Sequence, residues 1–397
     1  MKVLLLNQFF HPDLAATAQL ATDLAEDLVA AGFEVTALAA RGSYLGGGRL
    51  PGSEVHRGIR IERVRCTSLG KSGIGHRLLD YGTFYLSAAA RVILSREYDA
   101  VIAMSTPPLV ATLGAMRREL RGTLFIYWLQ DVYPELAIEF GVLRAHSLAT
   151  RILSRISCWT LRRADAVITL GDAMAARVRA KGVETPRIHI IPNWADGDAV
   201  RPLPPETSAF RRAHGLDGKR VVLYSGNMGR AHDLATILGV ARKLRDQADL
   251  VFVFVGDGAK RAEVEAAARE NPSVRLFPYQ PRNSLAESLS AGDVHVVTQS
   301  AFTIGLIEPS KLYGAMAAGR PVLYIGPTAT EAGHTVESEG IGAVVPPGDV
   351  NRAVDALQRL LAERDPLGTR ARTAFEERHD RRLRTAQFAA ILRTLAR

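Results

Sequence analysis

The stretch Thr303-Ile-Gly-Leu-Ile-Glu-Pro-Ser-Lys-Leu-Tyr-Gly-Ala-Met-Ala-Ala-Gly-Arg-Pro-Val322 joins a loop, a short helix and the start of a buried strand. Its pattern predicts a helix over residues 311–318 and a strand over 321–325. Helix N-termini attract anions because their first N–H groups have no partner within the helix. We expect Ser310 to cap this helix and Lys311 to add a full positive charge, which makes the stretch a candidate diphosphate site. A plain loop-helix-strand connection of an α/β domain explains the same residues.

Length and composition bound the remaining possibilities. A chain of 397 residues is too long for one ordinary core, which favours two domains. Hydrophobic residues make up 47% and charged residues 23%, values typical of a globular rather than a disordered protein. Cys66 and Cys158 lie far apart in the sequence, so we expect no disulfide framework and a reducing cytoplasm. Secretion and membrane spanning are disfavoured, because no apolar run has the required length.

Strand and helix patterns alternate along both halves of the chain. Residues 2–7 and 34–39 read as buried strands around a helix at 16–32, and the same order restarts at strand 221–225. We therefore predict an α/β protein with two Rossmann-like, doubly wound parallel-sheet domains facing a central cleft. The predicted division is an N-terminal domain (1–195), a linker (196–206), a C-terminal domain (207–370) and a final helix (371–397) that crosses back to the first domain. No GxGxxG motif supports a dinucleotide site.

Polar residues follow the predicted strands of the first half. His11 and Asp13 come after the first strand, and Asp131 comes after the strand at 123–128. Open α/β sheets place their sites at these carboxyl edges, so we predict acceptor-side contacts here. Two simpler roles stay open. His11 would form a loop-stabilising hydrogen bond, and Asp131 would cap the helix that begins at Pro134.

Two helices are candidates for contact with a membrane. The helix predicted at 141–163 has no acidic residue and carries Arg144, Arg151, Arg155, Trp159 and Arg162 on one stripe. Arginines interleaved with apolar side chains suit an anionic lipid surface, although a solvated basic face has the same pattern. The helix predicted at 74–94 is apolar nearly all round, which is more typical of a core helix than of a membrane-dipping one. No motif for binding nucleic acid accompanies the charge.

Six motifs in this order resemble those of the GT-B glycosyltransferases of retaining family 4. They are Asn7-Gln-Phe-Phe-His-Pro12, Trp128-Leu-Gln-Asp131, Ile191-Pro-Asn-Trp194, Tyr224-Ser-Gly-Asn-Met-Gly-Arg230, Val255-Gly-Asp-Gly258 and Pro309-Ser-Lys-Leu-Tyr-Gly-Ala-Met-Ala-Ala-Gly319. The resemblance covers essentially the whole chain. It is closest to the subgroup that builds bacterial surface polysaccharides such as O-antigen and colanic acid.

The resemblance implies that the C-terminal domain binds a nucleotide-sugar. The implied donor contacts are Gly226, Asn227, Gly229, Arg230, Gly256, Asp257, Gly258, Pro309, Ser310, Lys311 and Gly314. Arg230 and Lys311 would neutralise the charge that develops on the departing nucleoside diphosphate, so neither a metal ion nor another cofactor is expected.

The sequence departs from the family pattern at several positions, which include Asn227 for an arginine, Leu306 for the first glutamate of a Glu-x7-Glu signature and Ala15-Ala16 for a Gly-Gly pair. The second glutamate of the family's Glu-x7-Glu signature is replaced by Gly314, and we expect Glu308 to contact the sugar instead. A family lysine near the diphosphate is replaced by His232. The catalytic histidine of many relatives is replaced by Gln130, which we assign with Asp131 to the acceptor side.

The resemblance therefore implies a retaining, metal-independent glycosyltransferase. It would move a sugar of the N-acetylhexosamine type from a UDP-sugar to a polyprenyl-diphosphate-linked sugar, as a peripheral protein on the inner face of the cytoplasmic membrane. Two alternatives stay open. One is a nucleotide-sugar 2-epimerase of the same fold, and the other is a non-catalytic scaffold that binds lipid or polyanions and has a decayed donor site.

Overall fold

The computed structural model describes residues 1–43, 48–67 and 74–397. The chain forms two compact units. Unit 1 comprises Met1–Pro192, Gly305–Ile307 and Arg384–Arg397, and unit 2 comprises Asn193–Ile304 and Glu308–Leu383. The residues of the predicted linker, 196–206, are part of unit 2, and the last residues of the chain are part of unit 1.

Unit 1 is built on a sheet whose strands are β1 (Lys2–Leu6), β2 (Glu34–Ala40), β3 (Ser53–His56), β4 (Ile59–Val64), β5 (Ala100–Ala103), β6 (Leu124–Trp128), β7 (Ala166–Thr169) and β8 (Ile188–Ile190). Its helices are α1 (Ala16–Ala30), α2 (Ile74–Leu94), α3 (Thr112–Arg121), α4 (Glu135–Glu139), α5 (Leu148–Arg163) and α6 (Asp172–Ala180). The strand order is β3-β4-β2-β1-β5-β6-β7-β8, with β3 antiparallel to β4 and the other pairs parallel.

Unit 2 repeats this plan with the strands β9 (Arg220–Ser225), β10 (Leu250–Val255), β11 (Val274–Phe277), β12 (Val294–Thr298), β13 (Val322–Ile325) and β14 (Gly342–Val345). Its helices are α7 (Ala209–Ala213), α8 (Ala235–Lys243), α9 (Arg261–Glu270), α10 (Leu285–Ser290), α11 (Lys311–Ala317), α12 (Glu331–Ser338), α13 (Val350–Ala362) and α14 (Arg364–Ala374). All its strands are parallel, in the order β11-β10-β9-β12-β13-β14. The prediction of two doubly wound α/β domains is confirmed.

Each sheet is buried because its strands are nearly continuous apolar runs. Residues 250–255 read Leu-Val-Phe-Val-Phe-Val, and all six are buried. Such runs form parallel strands that helices cover on both faces. A change of direction in the strand order follows, between β1 and β5 in unit 1 and between β9 and β12 in unit 2. At these switch points the loops at the carboxyl ends of the strands diverge, which leaves room for a ligand.

Two predicted helices are wrong in extent. The helix predicted at 141–163 begins only at Leu148, where the Ser147 side chain accepts a hydrogen bond from the Thr150 N–H, so Arg144 lies outside it. The helix predicted near the C-terminus is interrupted by a π-helical turn (Phe375–His379) and by extended backbone at Asp380. A last helix, α15 (Arg381–Leu395), follows.

Helix α15 explains why the chain needs residues beyond the second sheet. Its residues from Arg384 onward belong to unit 1, where Phe388 and Leu392 are fully buried. The ring of Phe388 meets Trp128 edge-on, with the ring centroids 4.9 Å apart. Trp128 ends strand β6, so the C-terminus of the chain completes the core beside the strand that leads to Asp131.

Candidate functional site

The candidate donor site of unit 2 lies at its switch point. The loop of residues 226–230 follows β9, and the ring of His232 just beyond it contacts the carboxyl end of β12, where Nδ1 lies 2.6 Å from the Thr298 carbonyl oxygen. This is the place at which a doubly wound sheet binds its ligand. The predicted donor residues Gly226, Asn227, Gly229 and Arg230 all lie in this loop, and Arg230 is exposed.

A second loop, at residues 256–258 after β10, packs directly against the first. The Met228 N–H donates to the Asp257 carbonyl over 2.8 Å, so the two backbones run side by side. A Cβ on Gly256 would lie 2.1 Å from the Gly226 carbonyl oxygen, and one on Gly258 would lie 2.6 Å from Met228. Both glycines have positive φ. Only glycine fits at these two positions, which allows the two loops to approach closely. The structure therefore places these two predicted parts of the donor site next to each other.

Lys311 reaches the first loop from helix α11. Its Nζ donates to the Tyr224 hydroxyl at 2.5 Å and to the Asn227 carbonyl at 3.3 Å, and it lies 3.4 Å from Nε2 of His232. It also lies 4.0 Å from the centre of the Tyr224 ring, a cation–π contact. Gly226 makes room for the lysine, since a Cβ there would come within 3.3 Å of Cε.

The hydrogen bonds around Lys311 determine which of the neighbouring atoms donate and which accept. The Thr298 carbonyl can only accept, so Nδ1 of His232 carries the proton and Nε2 presents a lone pair to the lysine. Tyr224 donates to the Asn227 carbonyl over 2.8 Å and therefore accepts from Lys311. Burial and then the charge of Lys311 lower the pKa of His232 to about 3, which keeps its ring neutral. Sequence reasoning gave neither Tyr224 nor His232 a role in holding the lysine.

Two predictions about this helix are wrong. Ser310 occupies the N-cap position, but its backbone is already helical and its side chain makes no capping hydrogen bond. Burial lowers the pKa of the Lys311 ammonium to about 7, so it does not hold a full positive charge at neutral pH. Helix α11 also ends at Ala317 and contains only seven residues. The lysine side chain, rather than a helix terminus, is the feature that can meet a phosphate.

The remaining predicted donor residues lie around the start of α11. Pro309 is buried and accepts a backbone hydrogen bond from Leu312, while Gly314 lies inside the helix. The carboxylate of Glu308 accepts from the N–H groups of Glu331 and Ala332, over 3.3 and 3.4 Å, at the first turn of α12. Burial raises the pKa of Glu308 to about 8, against the opposing effect of these two bonds. Glu308 is thus engaged with its own unit.

The predicted acceptor residues of unit 1 divide into two groups. Gln130 and Asp131 follow β6, and both of their N–H groups donate to the Ser105 hydroxyl at the end of the neighbouring β5. Burial raises the pKa of the Asp131 carboxyl to about 6. Helix α4 has Pro134 at its N-cap with no side-chain capping bond, so the role of Asp131 is not to cap it.

Next to this group, β1 is followed by two buried polar residues, Asn7 and Gln8, which the sequence analysis did not assign to the site. Gln8 donates its N–H to the Thr106 carbonyl over 2.8 Å, which places it at the switch point between β1 and β5. Among the described atoms, Oδ1 of Asn7 and Oε1 of Gln8 are buried without a hydrogen-bond donor. Buried acceptors of this kind suit the hydroxyl groups of a sugar. They begin the motif Asn7-Gln-Phe-Phe-His-Pro12, in which the sequence analysis assigned a role to His11 alone.

His11 belongs to a second group on the other side of β1. Its ring stacks on His56 of β3, with the centroids 3.7 Å apart, and its carbonyl accepts from Arg63 of β4 over 2.5 Å. Asp13 is buried nearby in sequence. The strand order separates β4 from β6 by three strands, so these contacts do not bring His11 to Asp131. The simpler loop-stabilising role fits His11.

Only part of the predicted arginine stripe is present in the structure. Arg151 and Arg155 are exposed on α5, but Arg144 precedes the helix. Arg162 donates from Nε to the Lys181 carbonyl over 2.9 Å, and Trp159 packs against the core of unit 1. Within the described part of the chain, no group of three His, Cys, Asp or Glu side chains is arranged to hold a metal ion, and no helix is long and apolar enough to cross a membrane.

Two doubly wound units, the second with Lys311 and two glycine loops at its switch point, are the architecture of a GT-B glycosyltransferase. Residues 16–194 match the glycosyl transferase 4-like domain, and residues 219–363 match the glycosyl transferases group 1 family. A probable glycosyltransferase of Pseudomonas aeruginosa, WbjE, is 31% identical over 76% of either chain. The chain therefore belongs to this glycosyltransferase family.

Other comparisons agree on the class of protein. The putative colanic acid biosynthesis glycosyl transferase WcaI of Escherichia coli is 25% identical over 91% of this chain and 92% of its own. Sucrose-phosphate synthase of Thermosynechococcus elongatus superposes with a TM-score of 0.79 at 20% identity, covering 100% of this chain and 99% of its own. HepE of Anabaena, in complex with UDP-glucose, superposes with a TM-score of 0.72 at 17% identity, over 99% and 100%. These structural matches establish the fold.

Proposed function

We propose that this enzyme transfers a sugar of the N-acetylhexosamine type from a UDP-sugar to a polyprenyl-diphosphate-linked sugar, with retention of configuration. The observation that carries the proposal is the position of Lys311, whose side chain reaches the glycine loop 226–230 at the switch point of unit 2. Two relatives support the choice of substrates. HepE has been crystallised with UDP-glucose, and WcaI is named for colanic acid biosynthesis.

Lys311 and Arg230 supply positive charge for the leaving group. When the bond between the sugar C1 and the diphosphate oxygen breaks, negative charge grows on the departing UDP. A cation already positioned at that oxygen lowers the barrier, since it needs no reorganisation during the reaction. Because burial holds the pKa of Lys311 near 7, the approach of the diphosphate raises that pKa and completes the charge.

Retention follows if the acceptor attacks from the face that the diphosphate leaves. The acceptor hydroxyl oxygen forms the new bond to C1, and its proton passes to the departing phosphate oxygen. Asp131 is assigned to orient that hydroxyl or to stabilise the positive sugar ring. With its pKa raised to about 6, its carboxyl is mostly ionised at neutral pH, as either role requires. The orphaned acceptors on Asn7 and Gln8 are assigned to the acceptor sugar.

A lipid-linked acceptor places the enzyme at the anionic surface of the cytoplasmic membrane. Arg151 and Arg155 of helix α5 are exposed and are the members of the predicted stripe that support this location. Guanidinium groups near such a surface each add about 1 kcal/mol of attraction.

The test is a transfer assay with UDP-N-acetylhexosamines and a polyprenyl-diphosphate-linked sugar, with the anomeric configuration of the product read by NMR. We expect an α-linked product from an α-linked donor. Lys311→Ala should lower kcat/KM by about tenfold to a thousandfold. Lys243→Ala, which removes an exposed lysine of α8, is the matched control and should leave the rate unchanged.

Three results would overturn the proposal. An inverted product would exclude the same-face mechanism. Release of a free epimerised nucleotide-sugar would favour the 2-epimerase alternative. Failure to bind any nucleotide would favour the non-catalytic scaffold.

A further inference from the structure

Exposed apolar side chains are concentrated on three neighbouring helices of unit 1. Of the thirteen large hydrophobic residues that are exposed in the described chain, eight lie on α2, α3 and α5. They are Leu78, Leu79, Leu86, Leu94, Met116, Leu120, Leu148 and Ile152. Single exposed leucines are ordinary, but a cluster of this size on one side of a domain marks an interaction surface. We call these three helices the apolar-basic face.

Helix α2 shows how sharply this face is divided from the core. Phe84, Ala88 and Val92 point inward and are fully buried. From Leu78 to Leu94 the exposed positions of α2 carry leucine, glycine and alanine apart from Arg91, and Leu86 is 77% exposed. A surface helix in contact with water normally has polar residues on its outer face. The inner side of α2 is therefore part of the core, as expected, whereas its outer side is an exposed apolar surface.

The three helices form one continuous surface. Helix α3 packs against both α2 and α5. Arg163 of α5 pairs with Glu119 of α3 at 3.0 Å, and the hydroxyls of Thr112 and Thr160 are 3.1 Å apart. Leu120 of α3 is 63% exposed, so apolar side chains continue from α2 toward α5.

The charge of this face is strongly positive. Helix α5 has no acidic residue and exposes Arg151, Arg155, Arg162 and Arg163. Together the sequences of α2, α3 and α5 contain nine arginines and two acidic residues, although Arg117 of α3 is buried and does not belong to the face. On α5 a surface groove of about 590 Å³ is lined by Ser154, Arg155, Cys158, Trp159, Arg162 and Arg163. Guanidinium groups around a groove suit phosphate headgroups.

We propose that the apolar-basic face docks on an anionic phospholipid bilayer, with the leucines of α2 and α3 entering the acyl boundary and the arginines of α5 contacting the headgroups. The combination of an apolar outer stripe with a basic rim is what an interfacial helix requires. A second copy of the chain fits less well, because a symmetric dimer would bring two basic faces together. The inference deepens the proposed function by naming the surface that meets the membrane.

The test is flotation of the full-length protein with vesicles of phosphatidylcholine alone and of phosphatidylcholine with phosphatidylglycerol. The variants are Leu86→Asp, Leu120→Asp and Val55→Asp, which change the charge equally. Val55 is 75% exposed on β3, outside the three helices, and serves as the matched control. Each leucine would be buried in the acyl boundary of the bilayer, so its replacement by aspartate should reduce partitioning into anionic vesicles by about tenfold or more. Val55→Asp should bind like the unmodified protein.

Circular dichroism melting checks that each variant folds, and Leu86→Ser provides a milder change should Leu86→Asp unfold. Equal flotation of the α2, α3 and β3 variants, or equal binding to neutral vesicles, would overturn the proposal. So would a concentration-dependent dimer that Leu86→Asp abolishes in a protein that ignores vesicles. Transfer between a UDP-sugar and a short, water-soluble acceptor is measured in parallel. For the unmodified protein, absence of transfer with vesicle binding intact would count against the proposed function, and transfer without vesicle binding would count against the docking face. Leu86→Asp should lose vesicle binding and keep this transfer.

Discussion

The neighbours of Lys311 leave its side chain in a protonation state that binding of a diphosphate would change. Its ammonium meets three acceptors, the Tyr224 hydroxyl, the Asn227 carbonyl and Nε2 of His232, but no carboxylate is among them. Neutral acceptors compensate only part of the cost of burying a charge, which is why the pKa of Lys311 falls to about 7. A phosphate group supplies the missing counter-charge. Binding of the donor and protonation of Lys311 are therefore linked.

The linkage predicts proton uptake. At pH 8 the free protein holds Lys311 mostly neutral, so binding of UDP should take up about one proton per site. Titration calorimetry in two buffers of different ionisation enthalpy measures this number. Lys311→Arg, which stays charged, should still bind UDP but take up no proton. An identical heat of binding in both buffers for the unmodified protein would show that Lys311 is already charged.

Glu308 gives the opposite kind of pH dependence, in stability rather than in binding. Burial raises the pKa of its carboxyl to about 8, so the folded protein holds its proton to higher pH than the unfolded chain does. Its contribution to stability is complete below about pH 4.5 and is lost as the pH rises toward 8. Glu308→Gln keeps an acceptor for the N–H groups of α12 and cannot ionise. We expect its melting temperature to exceed that of the unmodified protein by about 10 °C at pH 8, and the two to converge as the pH falls below about 4.5.

The measurement is thermal unfolding across that pH range, with Glu337→Gln as the control. Glu337 is exposed on the same helix and is not among the groups that shift the pKa of Glu308. A constant difference between Glu308→Gln and the unmodified protein at all pH values would contradict the raised pKa.

At the scale of elements, regular strands were predictable and irregular joins were not. Strands β1, β2, β6, β9 and β13 lie within one residue of their predicted bounds, because a buried parallel strand is a short apolar run between turns. Strand β3 was missed since its sequence, Ser-Glu-Val-His, is polar and it owes its place to antiparallel pairing with β4. The start of α5 was misplaced because residues 141–147 are compatible with a helix until Ser147 caps one.

Donor-site residues divide in the same way. The glycine loops were predictable because close backbone approach has a local signature. Tyr224 and His232 contact Lys311 although they lie 87 and 79 positions away from it in the sequence. No local sequence pattern predicts such a contact.

Helix α15 carries the element-scale prediction. Phe388 is fully buried against Trp128, so Phe388→Ala leaves a cavity beside β6. Such truncations cost about 3–5 kcal/mol, which corresponds to a fall of about 10 °C in the melting temperature of a domain of this size. Calorimetry measures it, and Leu383→Ala, at a residue 43% exposed on the same helix, should change little. Equal effects of the two substitutions would show that α15 is not part of the unit 1 core.

At the scale of the whole molecule, the proposed donor contacts lie in one unit, and protein cations are proposed to take the place of a metal. The predicted donor residues all belong to unit 2. Lys311 and Arg230 are the groups proposed to balance the diphosphate. Nucleotide binding should then need neither the acceptor nor a divalent ion, in contrast to sites where Mg²⁺ bridges the phosphates.

A thermal-shift comparison of UDP, GDP and ADP, each with and without EDTA, tests this arrangement. We expect UDP at a hundred times its Kd to stabilise the protein by about 2.7 kcal/mol, a rise of about 5–10 °C. EDTA should leave that rise intact, and Lys311→Ala should reduce it. A shift that EDTA removes and magnesium or manganese restores would contradict the metal-free site. Selective stabilisation by GDP or ADP would change the identity of the donor but keep the site, because the lysine and the glycine loops recognise the diphosphate rather than the base.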